Sequence, residues 1–239
     1  MRITFIGSSH GVPEAHRKCQ CIMIQSGENC YFVDMGTSPM DTLVEKHIPP
    51  EKVKAAFFTH MHGDHIDGLL NFTDLATWHF KKCDPQIFLP VKEAAECIKR
   101  LLVIAGETVR EEIVFKEIEP GLIYDDGRLR VSAIPTQHCY KSYAFALEAE
   151  GKKIVITGDL GHPDRDFPQI LKEQKTDLLI CEDAHFPATD YLPHLDGCEI
   201  GKLCITHYSL KRIPSIIEFR ALYTAAPVEM ANDGMEIEL

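Results

Sequence analysis

The sequence predicts an α/β protein in which two mixed β-sheets pack together with helices on their outer faces. Strand-like apolar runs alternate with helix-like segments along the whole chain, and hairpin-length turns separate several of the strands. The strands are too many for a helical bundle, and the hairpins argue against a purely parallel sheet. Because no Ser/Gly linker, low-complexity tract or repeat divides the chain, we expect one domain spanning residues 1–239.

Each predicted element follows from local periodicity. The apolar runs predict strands at residues 2–6, 21–24, 31–33, 55–58, 129–134, 143–147, 153–156, 178–181 and 203–206. Apolar residues recurring every three or four positions predict helices at residues 40–47, 66–78, 91–105 and 215–223. Early and late strands both alternate with helices, as the fold class requires.

The composition favours a globular protein over a membrane protein or a nucleic-acid-binding protein. A hydrophobic share of 45% and a charged share of 26% are typical of a globular chain. No apolar run approaches the roughly 20 residues that span a bilayer, and no signal peptide is recognisable, so we expect a cytoplasmic protein. The nine cysteines are odd in number and mostly isolated, which favours reduced, buried thiols. A net charge of −11 disfavours long-range attraction to nucleic acid or an anionic membrane.

Four residues with metal-binding side chains fall within six positions directly after the strand at 55–58. They are His60, His62, Asp64 and His65. Imidazole nitrogens and carboxylate oxygens suit zinc, iron or manganese. A single histidine here would be more typical of an exposed polar loop, but three histidines and an aspartate favour a metal site, with His60 and His62 facing one ion and Asp64 and His65 a second.

Three more candidate ligands each follow a later strand. They are His138, Asp159 and His207. The two oxygens of Asp159 could hold two cations at once, with His138 completing the first site and His207 the second. Two cations about 3.5–4 Å apart lower the pKa of a shared water to near neutrality, which is the requirement for hydrolysis. Cys19 and Cys21 could form a structural zinc site, but without a second thiol pair ordinary buried cysteines are favoured.

With these seven positions, the sequence resembles the metallo-β-lactamase superfamily over nearly its whole length. The resemblance implies a four-layer αββα sandwich with two divalent ions, zinc foremost and manganese or iron as alternatives, at one edge. The start FIGSSHGVP and the end MANDGMEI resemble ribonuclease Z and related small phosphodiesterases. True β-lactamases and glyoxalase II usually begin differently, and flavodiiron proteins replace the histidine matched by His62 with an acid.

One departure from ribonuclease Z affects the expected substrate. Enzymes that grip transfer RNA usually insert a protruding arm between the positions matched here by His138 and Asp159, but this interval holds only residues 139–158. Together with the net negative charge, this makes extended RNA an unfavourable substrate. A small phosphodiester or another compact ester is favoured.

The proton donor is the least constrained residue of the predicted site. Ribonuclease Z-like enzymes carry an acid after the strand matched by residues 178–181, followed by a histidine at the start of the next helix. The resemblance therefore implies that His194 donates a proton to the leaving oxygen, with Glu182 or Asp183 orienting it, and His185 is the rival. Asp64 also orients the attacking water in the resembling family.

The sequence thus predicts a hydrolase with a dinuclear metal centre, acting on a small phosphodiester or nucleotide-type substrate. Hydrolysis of a carboxylic ester, thioester or lactone at the same site is the alternative. A transfer-RNA endonuclease and a non-catalytic binding module are less favoured. Dimers are common in the resembling family, but the sequence carries no independent interface signal for a homodimer.

Overall fold

A computed structural model describes residues 1–12 and 14–239 of the chain. Pro13, the last residue of the N-terminal motif, lies outside the described residues. The first sheet contains, in spatial order, β14 (Glu236–Glu238), β1 (Arg2–Gly7), β2 (Cys21–Ser26), β3 (Asn29–Val33), β4 (Val53–Phe57), β5 (Gln86–Leu89) and β6 (Val114–Glu117). Pairing is antiparallel from β14 to β3 and parallel from β3 to β6, so the sheet is mixed.

The second sheet is also mixed. Its spatial order is β13 (Val228–Met230), β12 (Ile200–Thr206), β11 (Thr176–Glu182), β10 (Lys152–Ile156), β9 (Ser142–Ala149), β8 (Arg130–Thr136) and β7 (Gly121–Asp125). Strands β10 to β13 pair in parallel, and β7 to β10 pair antiparallel. The predicted fold class of two mixed sheets is therefore confirmed.

Helices cover the outer face of each sheet. The helices are α1 (Met40–Glu45), α2 (Gly63–Trp78), α3 (Lys92–Ile104), α4 (Pro163–Asp166), α5 (Ile170–Glu173), α6 (Leu192–Leu195) and α7 (Ile213–Leu222). One apolar core lies between the sheets, a second lies under α1 to α3, and a third lies under α7 and the short helices before it. These three cores separate four layers, helix, sheet, sheet and helix.

Side chains of one strand alternate between two apolar cores, one on each face of the sheet. In β3, Tyr31 and Val33 face the core between the sheets, whereas Phe32 faces the core under the helices. In β11, Leu178 and Ile180 face the core between the sheets in the same way. Because neighbouring side chains of a strand point to opposite faces, such fully buried strands read as continuous apolar runs. None of the described helices has the length and apolar character needed to cross a bilayer.

Candidate metal centre

The segment after β4 supplies four of the candidate ligands from a very short stretch of chain. Helix α2 begins at Gly63, three residues earlier than its periodicity predicts, so Asp64 and His65 lie in its first turn. His60 and His65 are completely buried, while His62 is exposed. The end of a strand and the start of a helix thus hold these side chains on rigid backbone.

One group of ligand atoms consists of three imidazole nitrogens. His62 Nδ1 lies 3.0 Å from His60 Nε2 and 3.2 Å from His138 Nε2. Atoms bound at 2.0–2.2 Å to one tetrahedral ion would lie roughly 3.3–3.6 Å apart, so the spacing is close to that of a coordination site. Burial lowers the pKa of His60 to about 2 and that of His138 to about 4. Both rings are therefore neutral at pH 7 and keep a lone pair for a metal.

A second group combines a carboxylate with two imidazoles. Asp64 Oδ2 lies 3.5 Å from His65 Nε2 and 3.7 Å from His207 Nε2. His65 Nε2 is buried and has no hydrogen-bond partner among the described residues. An unpaired buried nitrogen is costly unless something binds it. This nitrogen faces Asp64 and His207, as expected of a metal ligand, so these residues fit a divalent ion.

Asp159 joins the two groups. Its Oδ2 atom lies 3.6 Å from His60 Nε2, 3.5 Å from His65 Nε2, 3.6 Å from His138 Nε2 and 3.4 Å from His207 Nε2. Burial alone would raise the pKa of Asp159, but His207 and His65 outweigh it and hold the pKa well below its usual value. An ionised carboxylate thus lies between both sets of nitrogens, where it could bridge two ions.

Asp34 orients two of the histidines through the ring nitrogens that face away from the ligand cluster. The sequence analysis did not identify this residue. Its Oδ2 atom accepts a hydrogen bond from His65 Nδ1 at 2.8 Å and one from Thr59 Oγ1 at 2.9 Å. The Thr59 hydroxyl in turn lies 3.0 Å from His60 Nδ1 and accepts its proton. Both Nδ1 atoms are therefore occupied, which leaves both Nε2 atoms facing the ligand cluster. The available signal was an acid directly after β3, the strand beside β4.

Backbone conformation at three positions fits the same geometry. Asp34 and His207 have φ values of 58° and 48°, which lie in the left-handed region. Gly158, directly before Asp159, has a φ of 57°, and a Cβ there would lie 2.8 Å from Cγ2 of Thr59. Non-glycine residues in this region are held there at a cost, and such residues cluster at functional sites. His207 Nδ1 also donates to the carbonyl of Ser9 at 3.2 Å, which links it to the N-terminal motif.

We expect Asp34→Ala to weaken binding of the ion at His65 by about 10- to 100-fold, because loss of a ligand's outer partner typically has this effect. The affinity is measured by competition with a chromogenic chelator. Asp34→Asn is the matched control, since asparagine tolerates the left-handed backbone and keeps one acceptor oxygen. Unchanged affinity in Asp34→Ala would show that Asp34 does not orient the ligands.

His194 does not join this cluster. Its Nε2 atom pairs with Asp164 Oδ1 at 2.8 Å, and its ring packs 5.5 Å from that of Phe167. Among the residues described, neither Glu182 nor Asp183 contacts it through a hydrogen bond, because Asp183 faces Ser215 Oγ instead, at 3.5 Å. His194 is the third residue of α6, and its ring faces Asp164 and Phe167 rather than the ligand cluster.

His185 lies beside the cluster instead. Its Nδ1 atom is 2.6 Å from Glu182 Oε2 and 3.8 Å from Asp159 Oδ2, and 37% of its side chain is exposed. The other oxygen of Glu182 accepts the backbone N–H of Leu160 at 2.7 Å. Burial, together with the charge of Asp159, raises the pKa of Glu182. A fixed carboxylate thus orients a partly exposed imidazole at the mouth of the site.

Comparison with known proteins identifies the family. The family model described as "Anti-Pycsar protein Apyc1" matches residues 1–197. The chain belongs to this family. A curated relative, ribonuclease Z from Listeria innocua, is 30% identical over 162 residues, which cover 66% of this chain and 53% of the relative. The chain thus spans about half the length of the curated relatives it matches.

Solved structures show the same fold. Human tRNase Z, short form, has a TM-score of 0.78 at 20% identity, with 100% of this chain and 99% of that chain covered. The metallo-β-lactamase fold protein YhfI from Bacillus subtilis has a TM-score of 0.75 at 19% identity, with 99% and 98% covered. The predicted αββα sandwich and the resemblance to the ribonuclease Z-like branch of the superfamily are therefore confirmed.

Proposed function

We propose that this protein is a metal-dependent hydrolase that cleaves a phosphodiester bond in a small, nucleotide-type substrate. The observation that carries the proposal is the position of Asp159 Oδ2, within 3.6 Å of a nitrogen on four histidines from two ligand groups. A carboxylate in that position can serve two cations at once. Relatives named for cleaving RNA, a phosphodiester polymer, support the type of bond.

In this proposal His60, His62 and His138 would hold one ion, Asp64, His65 and His207 would hold the other, and Asp159 would serve both. Nitrogen and oxygen donors suit zinc best, with manganese or iron as alternatives. Bound ions would lower the pKa of a water to near neutrality and stabilise charge that develops on the phosphoryl oxygens. Asp64, whose side chain is 17% exposed, orients the attacking water by accepting a hydrogen bond from it.

His185 supplies the proton to the leaving oxygen. Glu182 occupies Nδ1, which leaves Nε2 as the ring nitrogen available to substrate. The rings of His138 and His207 lie on either side, with centroids 4.5 Å and 6.2 Å from that of His185. The imidazole is therefore held beside both ligand groups, where a leaving oxygen would depart. This assignment replaces His194, which pairs with Asp164.

We expect His185→Ala to lower turnover by about 100- to 10,000-fold on a phosphodiester with an alkyl leaving group, the range that general acid catalysis supplies. A nitrophenolate leaving group needs little protonation, so the loss on bis-p-nitrophenyl phosphate should be much smaller. His194→Ala is the matched control, and we expect it to retain nearly full activity on both substrates. A larger loss in His194→Ala than in His185→Ala would reverse the assignment.

A small substrate is proposed because the stretch in which ribonuclease Z enzymes carry their arm is used up here by strands and short turns. Between His138 and Asp159 the chain forms a short turn, β9, a second turn and β10. A net charge of −11 also disfavours an extended polyanion. The zinc-loaded protein should be assayed against bis-p-nitrophenyl phosphate, a thioester, a lactone and a transfer-RNA precursor. Activity confined to the carbonyl substrates, or to the RNA, would contradict the proposal.

A further inference from the structure

The loops that carry His138 and Asp159 come from strands that are not neighbours. His138 follows β8 and Asp159 follows β10, and β9 lies between these strands in the sheet. No ladder hydrogen bond therefore joins the two loops directly, and the ladders through β9 set their distance only indirectly. His138 Nε2 nevertheless lies 3.6 Å from Asp159 Oδ2. Because a coordination site tolerates only a few tenths of an ångström of error, another contact must set this distance.

The carboxylate of Asp166 connects the two loops. Asp166 is the last residue of α4 and is only 9% exposed. Its Oδ2 atom accepts the backbone N–H of Gln137 at 2.6 Å and that of Gly161 at 2.8 Å. Its Oδ1 atom accepts the N–H of His162 at 3.1 Å. One side chain thus binds the residue before His138 and two residues that follow Asp159.

The two loops are also in direct contact on the side of Gly161. A Cβ at Gly161 would lie 2.7 Å from the carbonyl oxygen of Gln137, so only glycine at this position allows the loops to lie this close together. Asp166 prevents them from separating, because two N–H groups, one from each loop, share the same oxygen. A carboxylate is a strong hydrogen-bond acceptor for backbone N–H groups. Contact on one side and hydrogen bonding on the other fix the separation of the loops.

We propose that Asp166 is a positioning residue for the metal centre, which sets the distance between His138 and Asp159 without contacting an ion or substrate. This inference rests on the proposed function in that it takes the two residues to be ligands. The hydrogen bonds of Asp166 are then the second set, after those of Asp34, that positions the candidate ligands. The loop of the first sheet depends on Asp34, and the two loops of the second sheet depend on Asp166.

The test is a titration of the metal-free full chain with Co²⁺, in which visible absorption spectra report the binding of each ion. We expect Asp166→Ala to weaken one of two Co²⁺ sites by about 10- to 100-fold and to change the intensity of its absorption bands. Asp166→Asn keeps one acceptor oxygen and should have a smaller effect. If Asp166→Ala does not fold, Gly161→Ala tests the same contact, because its methyl group would push Gln137 away, and it should weaken the same site.

Asp126→Ala is the matched control. Asp126 also accepts two backbone N–H groups, from Arg128 and Leu129, and it binds the hydroxyls of Tyr31 and Tyr124. It precedes β8, whereas His138 follows it, so the two ends are roughly 20 Å apart. We expect Asp126→Ala to leave both Co²⁺ affinities within about two-fold of the wild type.

Unchanged affinities and spectra in Asp166→Ala and Gly161→Ala would overturn the inference, as would an equal change in Asp126→Ala. Hydrolysis of bis-p-nitrophenyl phosphate by the wild type is measured separately. Wild-type protein that binds two Co²⁺ ions but hydrolyses no ester would contradict the proposed function, while the spectra would still support or overturn the role of Asp166. The two failures are therefore distinguishable.

Discussion

Asp159→Asn is expected to lower phosphodiester hydrolysis by at least about 1000-fold and to reduce the number of tightly bound ions from two to one. Asparagine has nearly the same shape but carries no charge, and its amide nitrogen cannot bind a cation. A loss of about 4 kcal/mol of transition-state stabilisation corresponds to a rate roughly 1000-fold lower. Turnover is measured with bis-p-nitrophenyl phosphate, and metal content by elemental analysis after gel filtration.

Asp177→Asn provides the control for this substitution. Asp177 lies near the start of β11, at the opposite end from Glu182, and accepts the backbone N–H of Lys153 at 2.9 Å. The same chemical change there removes a charge and disturbs hydrogen bonds without reaching the ligand cluster. We expect full metal content and nearly full activity. If Asp159→Asn also retained two ions and wild-type turnover, Asp159 would not be a shared ligand.

Removal of metal is expected to destabilise the fold by a measurable amount. Without ions, His65 Nε2 is a buried nitrogen for which the described part of the chain offers no hydrogen-bond partner. Saturation at 100 times the dissociation constant stabilises a protein by about 2.7 kcal/mol per site. Since each kcal/mol shifts the Tm of a domain of this size by about 2–4 °C, a chelator should lower the Tm by at least about 5 °C. Differential scanning calorimetry with and without a chelator measures the shift.

Two controls separate metal loss from other effects of the chelator. Adding back excess Zn²⁺ should restore the original Tm, whereas Mg²⁺, which prefers oxygen ligands, should not. The chelator should also shift the Tm of Asp159→Asn by only about half as much as that of the wild type, because this variant keeps one of the two ions. A wild-type Tm that does not respond to the chelator, in protein shown to contain zinc beforehand, would contradict metal binding in this cluster.

Most of the strands predicted from sequence are buried ones, although the buried interior strand β5 was missed. The runs at residues 55–58 and 178–181 correspond to β4 and β11, in the interior of the two sheets, where both faces are covered by apolar layers. The strands that the periodicity missed include β6 and β7, at sheet edges, with burial too irregular to produce an apolar run. The strands β13 and β14 have three residues each, so only pairing with a partner defines them.

The candidate ligands could be selected from sequence because each follows an apolar strand and has an imidazole or carboxylate side chain, and their role in metal binding stays a prediction. The residues that orient them were not, because a single acid such as Asp34 or Asp166 has no local pattern that distinguishes it from a surface carboxylate. The choice between His185 and His194 as proton donor stays a prediction, and the sequence constrains it weakly for a related reason. The chain between β11 and β12 contains only short helices, whose directions depend on tertiary contacts such as that of Glu182 with Leu160.

A crystal structure of the zinc-loaded protein, with anomalous data collected on both sides of the zinc absorption edge, examines the cluster most directly. The proposed function requires two anomalous peaks about 3.5–4 Å apart. One should contact His60, His62 and His138, the other should contact Asp64, His65 and His207, and Asp159 should lie between them. A single peak elsewhere in the molecule, or two peaks that Asp159 does not contact, would contradict a dinuclear centre at this edge of the sandwich.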